Sequence, residues 1–255
     1  MELIEKRGLV VFMVIERIWN TFSEYYPLFL RGAGLTLLIS IIGTIIGSVI
    51  GLIVGTVRTI PVPSKGVKRY LLKFVFAIIT IYVEVFRGTP MIVQAMVIFY
   101  GSDIMFGIDM NTTVAALLIV SINTGAYSAE IVRGGIVSID KGQFEAAHAI
   151  GMNHAKTMIN VVLPQVFRNI LPAIGNEFVI NIKDTSVLNV ISVTELFFQT
   201  SSVVSNTFSI FEPFAITCAI YLVMTLTVTR ILRLLERKMD GPDSYNVIPG
   251  NQMQV

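Results

Sequence analysis

The run from Gly32 to Val57 contains no charged residue. As a helix it would be roughly 39 Å long, more than the ~30 Å hydrocarbon layer of a bilayer. Within it Gly43, Gly47, Gly51 and Gly55 recur every four residues, and Thr36, Ser40, Thr44 and Ser48 repeat with the same period. Small residues at that spacing line one helix face and let a second helix approach closely in lipid. Composition agrees with a membrane chain. Of 255 residues 54% are hydrophobic and 14% charged, against a usual ~25% charged. That excludes a disordered chain and leaves too few charges to cover a soluble globule. The lone Cys218 cannot form an internal bridge, which excludes a disulfide-stapled domain. A net charge of +2 gives no reason to expect a nucleic-acid partner.

Four further apolar regions follow. They are Tyr70 to Gly101, Asn111 to Val132, Ile170 to about Val193, and Pro213 to Thr229. No Lys or Arg occurs between Arg87 and Arg133 or between Lys183 and Arg230. Basic residues instead crowd the first connection (Arg58, Lys65, Lys68, Arg69, Lys73), the central loop (Lys141, Lys156, Arg168) and the end (Arg230, Arg233, Arg237, Lys238). The positive-inside rule places those stretches in the cytoplasm. The expectation is an all-α polytopic membrane protein with five transmembrane helices, the N-terminus outside and the C-terminus inside. That parity requires Tyr70 to Gly101 to cross once, broken at Arg87-Gly88-Thr89-Pro90, because proline removes a backbone donor and displaces the residue before it. Residues 1–27 read as an N-terminal interfacial segment, since Leu9 to Ile15 is too short to span and lacks a cleavage site. Residues 28–238 read as the transmembrane domain, and 239–255 as a cytoplasmic tail.

The longest polar stretch, Arg133 to about Arg168, falls on the cytoplasmic side of this topology. It reads as two short helices. Gln143 to Ile150 ends at Gly151, and a second helix from His154 to Leu163, capped by Asn153, is closed off or kinked by Pro164. A bilayer alone gives such a helix-turn-helix no purpose, so it suggests docking to a soluble partner. His148 and His154 lack metal-ligand spacing and read as surface residues, and no metal site is expected.

Glu145-Ala146-Ala147, Gly151, Val161 and Leu163-Pro164 resemble the EAA loop of permease subunits in ATP-binding-cassette importers. That pattern is Glu-Ala-Ala, three residues, Gly, nine residues, Ile, one residue, Leu-Pro, and only Val161 departs from it. Phe86 to Pro90, Ala126 to Ile136, and Lys183-Asp184-Thr185-Ser186-Val187 sharpen the resemblance to the polar amino-acid subfamily. Together these stretches span roughly residues 30 to 235. The resemblance implies a homo- or heterodimeric permease, two cytoplasmic ATPase subunits that bind ATP and magnesium, and an extracytoplasmic binding protein that delivers an amino acid. It implies no cofactor in this chain. It also implies that the stretch from Gln143 to His154 docks on the ATPase, through Glu145, Ala146, Ala147, Gly151 and Met152. Glu145 is then the anchor, since a carboxylate can pair with an arginine on the partner.

Ionisable groups in lipid cost ~2.5–3.5 kcal/mol each, so each needs a reason. Glu84 and Arg87, and Glu130 and Arg133, sit three apart and suit same-helix ion pairs. The second pair reads as a structural bridge near the interface. The first reads equally as a structural pair or as lining of a pathway. Lys183 and Asp184 are adjacent and point about 100° apart on a helix, so at least one reaches another helix or a cavity. A zwitterionic substrate needs an acceptor for its ammonium and a donor for its carboxylate, which Glu84, Asp184 and Lys183 together can supply. Alternatively, Lys183 and Asp184 hold their span to its neighbours or line a dimer contact. Ser186 joins the candidate set through the shared motif. Gln94 and Asn123 are mid-span amides, more often helix–helix hydrogen bonders than ligands.

No nucleotide-binding loop, metal cluster or nucleophile–base pair is present in the sequence, so a non-catalytic transporter subunit is the leading reading. A secondary, ion-coupled amino-acid carrier is the alternative. It would normally show two matching halves, and it leaves the central loop unexplained.

Overall fold

The structure, a computed structural model, describes residues 2–240, and side-chain surroundings for residues 12–238. No strand occurs among the described residues. The helices are α1 (Glu2–Val57), α2 (Val67–Gly88), α3 (Met91–Phe106), α4 (Thr112–Val137), α5 (Lys141–Ala149), α6 (His154–Thr157), α7 (Leu163–Asp184), α8 (Leu196–Thr207) and α9 (Phe211–Asp240). A π-turn over Met158–Val162 joins α6 to α7, and a 3-10 segment, Thr185–Ile191, continues α7.

Four continuous helical stretches are long and apolar enough to cross a membrane: Phe12–Val57, Thr112–Val137, His154–Ile191 and Phe211–Lys238. The remaining region, Tyr70 to Gly101, is the broken one that the sequence leads one to expect, and it forms a divided unit made of α2 and α3. The division falls at Thr89-Pro90, as expected. Pro90 has no N–H to offer the Phe86 carbonyl, so helix α2 stops and α3 restarts one residue later.

The glycine stripe of α1 packs on α4. A Cβ on Gly43, Gly47, Gly51 or Gly55 would fall within 3 Å of Val120, Thr124, Ser128 and Ala129 respectively. The contacts climb in the same order on both helices, so α1 and α4 run parallel. The chain must reverse once between them, which is the work of α2 and α3. Helix α7 runs the opposite way, with Ile170 near Gly135 and Asn181 near Thr124.

The hydroxyl stripe beside the glycines is bonded, with Thr36, Ser40 and Thr44 buried and Ser48 half-buried. Ser40 and Ser48 return hydrogen bonds to the carbonyls of Thr36 and Thr44, both at 2.7 Å. Thr36 Oγ1 accepts the Leu196 N–H at 3.2 Å, holding the start of α8. Glu195 caps that start. Its carboxylate accepts the N–H groups of Phe197 and Phe198 and the Tyr221 hydroxyl, and its side chain is fully buried. The four unpaired N–H groups of a helix start explain why a carboxylate sits inside.

The first helix contains no break at Pro27; it runs unbroken from Glu2. The expected interfacial segment is thus helical and continuous with the span, although the side chains of Leu9 to Val11 lie outside the described residues. Residues 241–255, most of the expected tail, lie outside them too.

Candidate functional site

The central loop forms a compact knob. Asp140 caps α5 by accepting the Gly142 N–H at 2.7 Å, so the helix starts slightly earlier than the expected Gln143. At its other end Gly151 takes φ +83°, a left-handed conformation that costs a side-chain-bearing residue about 1–2 kcal/mol. The Gly151 N–H reaches the His148 carbonyl at 2.9 Å, and the Met152 N–H reaches the Ala147 carbonyl at 3.0 Å. Those two bonds are a Schellman motif, which closes the end of a helix on itself. Asn153 caps α6 by accepting the Lys156 N–H at 2.9 Å, as its spacing predicts.

Pro164 does not end the second helix. The π-turn before it absorbs the disruption, and the helix continues into α7 with Pro164 in its first turn. The second helix of the knob is consequently continuous with the span. It is fixed from below by an apolar cluster of Val132, Ile136, Ile139, Met158, Val162 and Val166, with Phe144 and Leu163 packed against it. Ala147 faces inward, whereas Glu145, Ala146 and Gly151 are exposed and Met152 is half-buried. Glu145 makes no hydrogen bond or ion pair among the described residues. Glu145 leaves a carboxylate, and Ala146 a small side chain, exposed on α5, which suits contact with a cation on another protein.

The proposed pathway residues divide into two groups. The amide nitrogens of Gln94 and Asn123 are spoken for. Gln94 Nε2 donates to the Phe86 and Thr89 carbonyls, both at 2.9 Å, so it supplies the donor that Pro90 lacks. Asn123 Nδ2 then donates to Gln94 Oε1 at 2.9 Å, tying the α2–α3 break to α4. Glu84, Lys183 and Asp184 are exposed, and Ser186 is half-buried. No hydrogen bond or ion pair joins Glu84 to Lys183 or Asp184 among the described residues. Lys183 and Asp184 end α7, where the α-helix tightens into the 3-10 segment.

The expected Glu84–Arg87 pair is absent among the described residues. The Arg87 guanidinium instead lies over the Tyr127 ring, 5.5 Å from its centroid. A flat cation on an aromatic face of the neighbouring helix outweighs a weak same-helix pairing. The Glu130–Arg133 bridge does form, at 2.9 Å, and Glu130 also pairs with Arg58 at the end of α1.

Two features escape the sequence reading. Glu177 on α7 is half-buried. It is seven residues before Asp184 and so on the same helix face. Counting every acid in the fourth span, rather than the adjacent Lys183-Asp184 pair, would find it. Asn181 is the second. Its Nδ2 donates to Thr44 Oγ1 at 2.8 Å and to Thr124 Oγ1 at 2.9 Å, pinning α7 to α1 and α4. No local spacing announces a contact across 137 residues.

Residues 66–241 match the family of the binding-protein-dependent transport system inner membrane component. The chain belongs to this family. It is 37% identical over 222 residues to the glutamine transport system permease protein GlnP of Escherichia coli K12, an alignment covering 87% of this chain and 97% of that protein. It is 38% identical over 162 residues to the arginine transport system permease protein ArtQ of Bacillus subtilis 168, covering 64% of this chain and 74% of the relative. A crystal structure of an amino acid ABC transporter with histidines superposes with a TM-score of 0.74 at 37% identity, over 86% of this chain and 97% of that one. As a member of the binding-protein-dependent transport family, the chain is the membrane-spanning permease subunit of an ATP-driven importer. The hydrolysis itself belongs to separate ATPase subunits, and a substrate-binding protein completes the system. The ion-coupled carrier reading has no support from these relatives. Family membership also explains the knob, which a self-contained carrier would not need.

Proposed function

We propose that this chain forms, with a second permease subunit, the pathway by which a polar amino acid crosses a bacterial cytoplasmic membrane. Two ATPases dock on the two α5 knobs, and an extracytoplasmic binding protein delivers the amino acid from the far side. ATP and magnesium are held by the ATPases. The relatives named for glutamine and arginine transport support the substrate class.

The observation that carries this reading is the apolar cluster that joins the knob to α4 and α7. A push on Glu145, Ala146, Gly151 and Met152 passes through Phe144 and the Val132–Val166 cluster to α4 and α7 together. Helix α7 presents Lys183 and Asp184 at its far end, so motion of the knob shifts those charges relative to Glu84 on α2. Glu84, Glu177 and Asp184 offer carboxylates to a substrate ammonium, and Lys183 and Arg87 offer cations to its carboxylate. Ser186 adds a hydroxyl beside them. Gln94 and the Asn123 Nδ2 hold the broken helix, which leaves the Asn123 Oδ1 as the amide oxygen open to the pathway among the described residues.

Co-purification tests the docking reading. The ATPase subunit is expected to travel with the intact chain and to dissociate when Glu145 and Gly151 are both changed. Retention of ATPase and of ATP-driven uptake by that double variant would overturn it. Competition uptake with basic, acidic and amide amino acids, measured on the purified complex, assigns the substrate.

A further inference from the structure

Thr124 and Gly125 are the central pair of the membrane-crossing stretch Thr112–Val137. Asn181 ties Thr124 to Thr44, itself central in the uncharged run from Gly32 to Val57. That level marks the middle of the bilayer. Tyr127 follows it by less than one turn, roughly 4 Å of helix, and the Arg87 guanidinium lies over the Tyr127 ring. Arg87 is exposed, and it makes no ion pair or hydrogen bond among the described residues. An unpaired cation at this depth is costly against lipid, and stacking on an aromatic face offsets only part of the cost. The guanidinium therefore faces the aqueous pathway, with its N–H groups free.

Asn123 stands one turn from Tyr127 on the same side of α4. Its Nδ2 donates to Gln94 Oε1 at 2.9 Å and to the carbonyl of Phe86, the residue before Arg87, at 3.4 Å. Fixing the nitrogen fixes the other end of the amide. Oδ1 makes no hydrogen bond among the described residues, so a bare acceptor and a bare cation come together where α2 meets α4. An α-amino acid carries a carboxylate and an ammonium on one carbon. The guanidinium matches the first as a planar fork, and an amide oxygen accepts from the second. One turn rises about 5.4 Å, a gap that a molecule with both groups closes with a hydrogen bond at each end.

We propose that Arg87 binds the α-carboxylate of the transported amino acid and Asn123 Oδ1 its α-ammonium, with Tyr127 as a positioning residue that holds the guanidinium. The site presupposes the amino-acid pathway proposed above and narrows it. Helices α2 and α4 hold the groups common to every amino acid, which leaves Glu84, Glu177, Lys183 and Asp184 to the side chain.

The test is equilibrium binding to the purified complex of permease and ATPase without the binding protein, so that the pathway's own preference is read. Tritiated L-arginine, L-glutamine, L-glutamate and L-histidine are the probes. Two sets of competitors lack one group each. Agmatine, γ-aminobutyramide, γ-aminobutyrate and histamine lack the α-carboxylate; δ-guanidinovalerate, glutaramate, glutarate and imidazolepropionate lack the α-ammonium. The unsubstituted complex is expected to bind at least one amino acid about tenfold or more tightly than either of its analogues, the worth of a charge-assisted hydrogen bond. Arg87→Gln is expected to erase the preference over the carboxylate-free analogue and to keep the preference over the ammonium-free one. Tyr127→Leu is expected to weaken the first preference about threefold, and Tyr127→Phe, which keeps the ring, to restore it. Absence of saturable binding of every probe overturns the amino-acid pathway, and the site falls with it. Binding of a probe with no preference over its analogues overturns the site alone and needs no variant. A carboxylate preference that survives in Arg87→Gln does the same, and equal behaviour of the two Tyr127 variants removes the positioning role.

Discussion

Gly51 of α1 lies so close to Ser128 of α4 that a Cβ added at Gly51 would sit 2.2 Å from the serine Cβ. Ordinary side chains never approach so closely, so the absence of a side chain at residue 51 is what permits this helix pair. Gly34, on the same helix, has nothing within 4 Å of the equivalent position. Gly51→Ala is expected to destabilise the protein by about 1–3 kcal/mol through overpacking. Gly34→Ala is expected to be neutral or to stabilise by about 0.5–1 kcal/mol through helix propensity. Thermal unfolding of both variants in one detergent provides the comparison, and equal midpoints would refute the packing account.

Gly151→Pro is expected to abolish ATP-driven uptake while membrane insertion stays normal. Proline cannot adopt φ +83° and has no N–H for the His148 carbonyl. Gly151→Ala keeps the N–H and meets open space, so only the left-handed strain of about 1–2 kcal/mol remains. Partial uptake is therefore expected from the alanine variant. Proteoliposome uptake beside a membrane-fraction blot separates coupling from folding; normal uptake by the proline variant would end the docking assignment.

Glu84→Gln and Glu130→Gln are expected to differ in kind. Glu84 is exposed and unpaired among the described residues, so its change should lower uptake and leave unfolding untouched. Glu130 bridges Arg58 and Arg133, and removing its charge strands two guanidinium groups. About 1–2 kcal/mol of stability should be lost, less than for a fully buried pair because about a fifth of the Arg58 and Glu130 side chains remains exposed. Equal effects of the two variants on reconstituted transport would remove the reason to favour Glu84 as a pathway residue.

Gln94→Leu is expected to lower the unfolding temperature, because it leaves the Phe86 carbonyl with only the long 3.4 Å bond from the Asn123 amide and removes the acceptor which that amide reaches at 2.9 Å. A buried unsatisfied group costs about 1–3 kcal/mol. The loss should be the same with and without amino acid. A raised KM at unchanged stability would instead make Gln94 a substrate ligand.

Legibility in the sequence followed range. The glycine stripe, the Asn153 cap, the Gly151 turn and the break before Pro90 depend on neighbours within a few residues, and all were readable. Glu130–Arg133 was readable for the same reason. Arg58–Glu130 was not, because 72 residues separate its partners. The Glu84–Arg87 pair fails on a related ground. Spacing showed that it was possible, but Tyr127 on another helix was the better partner for Arg87. Of the two effects open to Pro164, ending the helix and distorting it, the first does not occur, because the turn before it widens into the π-turn.

The parallel interlock of α1 and α4 has a mechanical consequence. Because atoms of α4 press on the bare α1 backbone at every turn from Gly43 to Gly55, neither helix can slide or roll past the other without collision. The two behave as a single beam, and alternation of access must be accommodated elsewhere. The joints available are those where regular hydrogen bonding already lapses: the gap between α2 and α3, the widened turn at Met158, and the tightened one after Asp184.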